Sequence, residues 1–315
     1  MISPAPCVCA VIVTYHPDPV LFAELLAAIA GQVQELVIVD NGSSAARVEA
    51  LTAFARGSPR RHILPQEGNM GIAAAQNRGI WRALDLRCTH VLLLDHDSIP
   101  AADMVRQLLL LESRLLADDI RVGAIGPTQV DRRTFTRAGF VRRQQMFIRR
   151  RYPCRVAGYV ETDFLISSGM LIRAPALRAI GVMNSGYFID HVDTEWCFRA
   201  THLGYRLFGA QRAVLHHTLG YGVIKIWLGR WREVPQHSPL RNYYIFRNTL
   251  KMVRRTPMTM AWRLAHLYRL GMFLCFFLIV GKPRAQRLRM MLLGIRDGIK
   301  GVEGMIDSGK ITLGK

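Results

Sequence analysis

The sequence predicts an α/β protein: a mostly parallel sheet flanked by helices, followed by a basic, helical C-terminal extension. Short runs rich in Val, Ile and Leu alternate with segments of helical periodicity in the N-terminal part, and such alternation produces crossover connections and parallel strands. Half of the 315 residues are hydrophobic, which supplies a core and excludes a disordered chain. Residues 221–315 hold 18 basic and 4 acidic residues, or +14 of the net charge of +19. We therefore predict one domain over residues 1–220 and a basic region over residues 221–315.

Each element of the first domain follows from its local pattern. The first apolar run, Val8–Thr14, is rich in β-branched side chains, as in a strand that is buried on both faces. Leu21, Leu25 and Ile29 then recur at helical spacing. By the same criteria, the strands and helices in chain order are Val8–Thr14, Pro19–Ala30, Leu36–Val39, Val48–Ala55, His62–Leu64, Gly71–Leu84 and Val91–Leu94.

The pattern changes after these elements. We expect short strands around Gly123–Ile125, Val156–Tyr159 and Gly169–Ile172, a helix at Asp193–His202 and a strand at Arg206–Leu215. Beyond residue 220 the chain is basic and aromatic, and we expect it to be helical. In open α/β sheets, ligands bind beyond the carboxyl ends of the strands. Polar residues at those ends are therefore the candidates for a functional site.

The strongest local signal is Asp95-His96-Asp97, which directly follows an apolar strand. Residues at i and i+2 of a strand project to the same face, about 6–7 Å apart. Two such carboxylates can hold one hard cation together with phosphate oxygens, as Mg²⁺ prefers. The motif therefore predicts a divalent-metal site, and the alternative is a solvated loop.

Asp40 ends the second predicted strand. A carboxylate in this position can accept a hydrogen bond from a nucleobase or a ribose hydroxyl, and the alternative is a turn residue before Asn41-Gly42. Between residues 67 and 79, small side chains lie at a predicted helix start, where the backbone favours phosphate. The stretch is neither Gly-x-Gly-x-x-Gly nor a phosphate loop ending in Gly-Lys-Ser/Thr. The sequence therefore lacks the motifs of a dinucleotide-binding oxidoreductase and of a P-loop ATPase.

Three acids, Asp190, Asp193 and Glu195, stand at the start of another predicted helix. They either cap the helix and complement its dipole, or one of them is a general base close to a bound hydroxyl. His216-His217 follows an apolar strand. A strand-end histidine is a candidate third metal ligand, and a structural histidine is the alternative.

Together, these residues resemble the family 2 glycosyltransferases of GT-A fold, in particular bacterial rhamnosyltransferases. The resemblance covers residues 8–250 and rests on the order and spacing of motifs that are modest individually. In chain order the motifs span residues 13–18, 39–43, 69–79, 95–97, 168–169, 190–199 and 238–244. One departure is Gln76, where many relatives have Arg before Asn77, and this weakens the case for a diphosphate-binding cation on that helix.

The resemblance implies roles for single residues. Asp97 would be the direct metal ligand together with His217, and Asp95 is a further candidate. Asp193 would be the general base, with Asp190 as the first alternative and Glu195 also considered. The donor-binding residues would be Tyr15, Asp40, Asn69, Asn77, Asp95 and Arg241.

The resemblance also implies an activity. It is an inverting, metal-dependent transfer of a sugar, rhamnose from dTDP-rhamnose, to a hydroxyl of a lipid-linked or polysaccharide acceptor in cell-surface glycan synthesis. The cofactor would be Mg²⁺ or Mn²⁺. The alternative is a metal-dependent phosphoesterase or nuclease that uses the same carboxylates on an anionic substrate. That chemistry usually needs a denser ligand cluster than the sequence offers.

The basic region contains a strongly apolar run, Leu270–Val280. It is too short to span a bilayer, which takes about 20 apolar residues. Arg263 and Arg269 precede it, and Lys282 and Arg284 follow. This arrangement predicts a helix in the interface of an anionic membrane, and the alternative is a buried core helix. No nucleic-acid-binding motif accompanies the charge, so we expect no nucleic-acid partner.

The six cysteines form no Cys-x-x-Cys pair and mostly lie in apolar runs. They predict buried free thiols in a reducing compartment. We therefore expect a cytoplasmic protein that is peripherally associated with the inner face of the cell membrane.

Overall fold

The structure, a computed structural model, describes residues 5–144, 147–154, 156–217, 223–227, 231–235, 238–307 and 309. The chain divides into two units. The first comprises Met1–Ser185 and Val192–His217, and the second comprises Gly186–His191 and Thr218–Lys315. The predicted boundary between residues 220 and 221 falls outside the described residues and stays a prediction.

The first unit contains eleven of the described strands and six of the described helices. Its strands are β1 (Val8–Thr14), β2 (Glu35–Asp40), β3 (Arg61–Pro65), β4 (His90–Asp95), β5 (Ser98–Pro100), β6 (Val122–Asp131), β7 (Phe140–Gln144), β8 (Phe147–Arg151), β9 (Tyr159–Thr162), β10 (Leu171–Arg173) and β11 (Arg206–His217). Its helices are α1 (Pro19–Ala30), α2 (Ala45–Arg56), α3 (Ile72–Asp85), α4 (Met104–Ala117), α5 (Ala174–Ile180) and α6 (Val192–His202).

The central sheet has the strand order β3-β2-β1-β4-β10-β6-β11-β5, and β9 pairs with β11. Strands β1 to β4 are mutually parallel where they pair, as are β6 and β11, whereas β5, β9 and β10 run antiparallel to their neighbours. The predicted mostly parallel sheet flanked by helices is confirmed. Its register places Thr14 opposite Asp40 and Val13 opposite Asp95. The polar residues at the carboxyl ends of these strands therefore lie along the same edge of the sheet.

Helix α3 packs closely on this sheet because residue 79 is a glycine. A Cβ at Gly79 would lie 2.2 Å from Cγ1 of Val11 and 3.2 Å from Cγ2 of Val39. The segment before the helix is tied to the sheet edge, since Nδ2 of Asn41 donates to Oδ1 of Asn69 at 3.0 Å. The helix therefore begins beside the polar ends of the strands.

The predicted strand at Val156–Tyr159 is misplaced. The strand in this region is β9, and Val156 is 93% exposed. The hairpin of β7 and β8 was not predicted. Its strands carry several arginines that interrupt the apolar alternation from which strands are recognised.

The second unit contains β12 (Val223–Trp227), β13 (Trp231–Pro235), α7 (Pro239–Arg255), α8 (Met260–Ile279) and α9 (Arg284–Lys300). Strands β12 and β13 pair antiparallel, so the expectation that the chain is helical throughout this region is wrong before residue 239. Aromatic and β-branched residues there favour strands. The three helices after it are as expected, and Ile245, Phe246, Leu270, Phe277 and Met291 form one of their core clusters.

Candidate active site

Two carboxylates stand where β4 ends, and other acidic and imidazole groups of the first unit come close to them. Burial and the neighbouring charge of Asp97 raise the pKa of Asp95 to about 6, and the charge of Asp193 acts in the same direction. His217 and His96 oppose this shift. Because Coulomb interactions weaken with distance, the part that these charges play in the shift indicates that Asp97, Asp193, His217 and His96 lie near Asp95.

The imidazole of His217 is held by one of its two ring nitrogens. Nδ1 lies 3.0 Å from Oγ of Ser98 and 3.6 Å from Oδ1 of Asp97. Oγ of Ser98 also accepts from Oγ of Ser168 at 2.9 Å, and the backbone N–H of Asp95 donates to Ser168 at 3.1 Å. This chain of hydrogen bonds fixes the ring and leaves Nε2 as the nitrogen for a ligand.

Asp193 lies in the first turn of α6. Its Oδ1 accepts from the N–H of Thr194 at 2.7 Å and from the Thr194 hydroxyl at 3.3 Å, and its Oδ2 accepts from the N–H of Ser167 at 3.3 Å. The contact with Oδ2 is long for a hydrogen bond.

The other two acids of this segment are engaged by arginines. Glu195, 4% exposed, accepts from Nε of Arg199 with both oxygens, and the same guanidinium donates to the carbonyls of Ile180 and Val182. In the second unit, Asp190 forms a bidentate ion pair with Arg241. Each of these two carboxylates therefore already has a guanidinium partner.

The predicted nucleobase contact, Asp40, is fully buried. Its Oδ1 accepts from the hydroxyl of Thr14 at 3.0 Å, and its Oδ2 accepts from the N–H of Ser43 at 2.8 Å. The turn role that the sequence offered as the alternative is therefore present. Next to it, Tyr15 is 46% exposed, and its ring meets His16 edge-on. Contacts of Asp40 and Tyr15 with a donor stay predictions.

The two predicted donor-binding asparagines make protein contacts. Oδ1 of Asn69 accepts from Asn41 and from the N–H of Gly71. Nδ2 of Asn77 donates to the carbonyl of Met183 and to Ser185, and its Oδ1 accepts from the N–H of Met183. The amide of Asn77 is thus nearly saturated, so it acts first as a clamp between α3 and the segment before residue 186.

The geometry fits a metal ion that shares its ligands with a substrate. In the part of the chain that the structure describes, no three His, Cys, Asp or Glu groups converge tightly enough to hold a metal ion. Asp97 and His217 are close enough to act together, and Asp95 stands two residues away. Mg²⁺ commonly takes one or two carboxylates and completes its shell with water and phosphate.

The mostly parallel sheet flanked by helices, with carboxylates at the end of β4, is an α/β arrangement of GT-A type. The chain belongs to glycosyl transferase family 2, whose profile matches residues 9–181, more than half of its length. It is therefore a glycosyltransferase, as the sequence predicted, and the phosphoesterase or nuclease alternative is set aside.

Within the family, the chain is rhamnosyltransferase-like. It is 25% identical over 296 residues to the dTDP-rhamnosyl transferase RfbF of Shigella flexneri, an alignment that covers 94% of this chain and 96% of that protein. The resemblance inferred from the motifs is thereby confirmed.

Solved structures support the fold. The structure of GalNAc-T7 with UDP, GalNAc and Mn²⁺ matches with a TM-score of 0.60 at 13% identity, over 80% of this chain and 48% of the other, so this chain spans about half of that protein. The structure of S. aureus TarS residues 1–349 with UDP-GlcNAc matches with a TM-score of 0.55 at 15% identity, over 94% and 81%. At these identities the likeness shows the GT-A fold alone.

Sequence reasoning missed the residues that support the site. Ser98 was not singled out, and Ser168 was noted only as part of a motif, although both lie in the chain of hydrogen bonds to His217. Ser98 directly follows Asp97, and a serine after paired carboxylates was the available signal. Ser168 lies 70 residues further along, so only the fold reveals their contact.

Proposed function

We propose that the protein transfers rhamnose from dTDP-rhamnose, with inversion, to a hydroxyl of a lipid-linked or polysaccharide acceptor in cell-surface glycan synthesis. The observation that carries the proposal is the pair of Asp97 and His217, 3.6 Å apart, beside Asp95 at the end of β4, with the charge of Asp193 among those that raise the pKa of Asp95. Family membership supports sugar transfer. The sugar and its carrier rest on the similarity to a dTDP-rhamnosyl transferase.

Asp97 and His217 would hold Mg²⁺ or Mn²⁺, with Asp95 as a further ligand. A divalent ion bound here offsets the negative charge that develops on the leaving diphosphate. Ser98 keeps the ring of His217 in orientation through Nδ1, as the outer partners of metal-ligating histidines commonly do. The Mn²⁺ in the GalNAc-T7 structure is consistent with a divalent ion in this fold.

Asp193 would act as the general base. It stands in the first turn of α6 and its charge acts on Asp95, so its carboxylate lies near the proposed metal ligands and would take the proton of the acceptor hydroxyl. As the hydroxyl loses this proton, its oxygen attacks the anomeric carbon from the side opposite the diphosphate. The bond from that carbon to the diphosphate breaks in the same step, and this single displacement inverts the configuration. Asp190 and Glu195 are less suited because each is paired with an arginine.

A ligand screen followed by a product assay tests the proposal. Binding to the native state raises the melting temperature, so we expect dTDP-rhamnose with Mn²⁺ to raise it more than UDP-sugars do. With a lipid-linked or polysaccharide acceptor, dTDP release and an inverted linkage by NMR are expected. The Asp97→Asn protein is the control and should lose the metal-dependent shift. A shift and turnover with UDP-sugars alone would refute the choice of donor.

A further inference from the structure

Helix α8 has one face that packs into the second unit. Its buried side chains are between 1% and 8% exposed and recur mostly every four residues: Trp262, His266, Leu270 and Phe277. Leu270 and Phe277 belong to the core cluster that includes residues of α7 and α9. One side of α8 is therefore held against protein along the length of the helix.

The opposite face is exposed and apolar. We call it the α8 stripe, and it consists of Leu264, Leu267, Tyr268, Met272, Cys275, Leu278 and Ile279. The six large side chains among these are between 37% and 72% exposed. Their spacing of three or four residues aligns them along a helix of 20 residues. A contiguous apolar surface of this kind marks an interaction site.

Basic residues flank the stripe along the chain. Residues 260–300 contain eight basic residues and one acidic residue. The acid is Asp297, which is 1% exposed, accepts from the hydroxyl of Tyr243 and pairs with Arg296. The accessible charge of this segment is therefore cationic, and it includes Arg269 on α8 and Lys282 just after it.

We propose that the α8 stripe docks onto a bilayer that contains anionic lipid, with α8 lying in the plane of the membrane surface. Apolar side chains enter the boundary between headgroups and acyl chains, while flanking Lys and Arg attract anionic headgroups. The inference does not depend on the proposed function, because membrane binding is measured without any sugar donor.

Three other arrangements fit the observations less well. A core helix is mostly buried, whereas only 22% of the 18-residue apolar stretch within α8 is buried. The apolar run from Leu270 is part of the longer helix α8, so the expectation that this stretch is too short to span does not hold: among the described residues, α8 is long and apolar enough to cross a bilayer. However, its inner face packs on protein, and Arg263 and Arg269 lie within it. A second copy of the chain would bring two cationic rims together, and these repel.

The two exposed cysteines provide a matched test of the docking face. Cys275 lies in the stripe, and Cys154 is exposed in the first unit. An environment-sensitive dye is attached to Cys275 in a Cys7→Ser, Cys154→Ser protein, and to Cys154 in a Cys7→Ser, Cys275→Ser protein. With vesicles of phosphatidylglycerol and phosphatidylcholine, we expect the emission maximum of the dye at Cys275 to shift to shorter wavelength and that of the dye at Cys154 to stay unchanged. Equal responses of the two dyes, or no response at Cys275, would overturn the proposal.

Flotation with the same vesicles measures the binding itself. We expect binding to fall about tenfold or more in the double variant Leu267→Gln, Met272→Gln, because two apolar anchors are lost. The control is Val20→Gln, Leu110→Gln, which removes exposed apolar side chains from the first unit. Both double variants should keep the melting temperature. Unchanged flotation of the stripe variant contradicts the docking surface.

Vesicle composition and extraction separate the remaining alternatives. Binding should be weak to phosphatidylcholine alone and should be released by high salt, since screening removes the electrostatic attraction. Retention after alkaline carbonate extraction would show a crossing helix and overturn the surface arrangement. If the emission of the dye at Cys275 shifts with protein concentration in the absence of vesicles, a second copy of the chain covers the stripe, and this result would also overturn the proposal.

Discussion

The guanidinium of Arg241 holds the carboxylate of Asp190 through two nitrogens. Nε lies 3.1 and 3.2 Å from the two carboxylate oxygens, and Nη2 lies 3.0 Å from Oδ1. The backbone carbonyl of Asp190 also accepts from Nδ2 of Asn248. Phe188, Asp190 and His191 all have positive φ angles, between 61° and 64°. Helix α7 thus stabilises a segment whose left-handed backbone conformation is unfavourable in free energy by itself.

We predict that Asp190 and Arg241 are coupled in stability. Asp190→Asn and Arg241→Gln should each lower the free energy of unfolding by about 1 kcal/mol, a modest value because Arg241 is 42% exposed and screened by solvent. Urea denaturation of both single variants and the double variant measures the coupling. Strictly additive losses would show that the ion pair contributes nothing.

Replacement of the proposed base should affect turnover and not donor binding. In Asp193→Asn we expect kcat to fall about 10²–10⁴-fold, because an amide cannot accept the proton. Isothermal titration with donor and Mn²⁺ should give an unchanged Kd. Asp190→Asn carries the same chemical change three residues earlier and serves as the control, with kcat within about tenfold of the wild type. The reverse ranking of the two variants would move the base to Asp190.

Ser98 is predicted to tune metal affinity through His217. Ser98→Ala removes the partner of Nδ1, and loss of such a partner typically lowers metal affinity about 10–100-fold. At saturating Mn²⁺, kcat should recover, and this recovery distinguishes positioning of a ligand from general damage. Ser44→Ala is the control, since Ser44 caps α2 without a side-chain hydrogen bond. The same metal dependence in both variants would exclude this role for Ser98.

The second unit should lose stability as the pH falls. Burial lowers the pKa of His191 to about 3 and that of His266 to about 4, and Arg269 adds to both shifts. The rings meet edge-on, with Thr249 bonded to His191 and Trp262 beside His266. Because the unfolded histidines titrate at about 6.5, the unfolded chain binds more protons below that pH. The stabilisation is therefore complete above about pH 6.5 and is lost progressively toward about pH 3 to 4.

The variant His266→Gln isolates this effect. Between about pH 7.5 and about pH 5, the wild type should lose about 2 kcal/mol more stability than the variant, since one depressed histidine contributes about 1.4 kcal/mol per pH unit. Urea unfolding at the two pH values measures the difference. Parallel pH profiles for the two proteins would exclude His266 as a source of acid sensitivity.

Regular patterns in the sequence predicted much of the fold. The apolar run of β1 and the run that ends at Asp95 were recognised because strands buried on both faces are continuous apolar segments. The hairpin of β7 and β8 and the pair of β12 and β13 were missed. Their sequences mix basic and aromatic residues, and periodicity carries little information in such short elements.

The thiols illustrate the same difference. Cys9, Cys88 and Cys197 are buried, as predicted for most of the cysteines, whereas Cys154 and Cys275 are exposed, so the prediction is wrong for these two. Cys275 lies in an apolar run of α8, but on the exposed face of the helix, because a helix buries only the face that packs against a neighbouring element. Sequence fixes how apolar a segment is, and the neighbouring elements determine which of its faces is covered.

The sequence by itself determined which chemical groups stand at the strand ends, because Asp40 and Asp95 each directly follow an apolar run. The tertiary structure decided which of these groups act together. Asp193 and Glu195 are near neighbours in the chain and chemically alike, yet Glu195 is bound to Arg199 while the charge of Asp193 reaches Asp95. Their surroundings differ because the helix turns the two carboxylates toward different neighbours. Asp95 and Asp193, which are far apart in the chain, come near each other only in the folded protein.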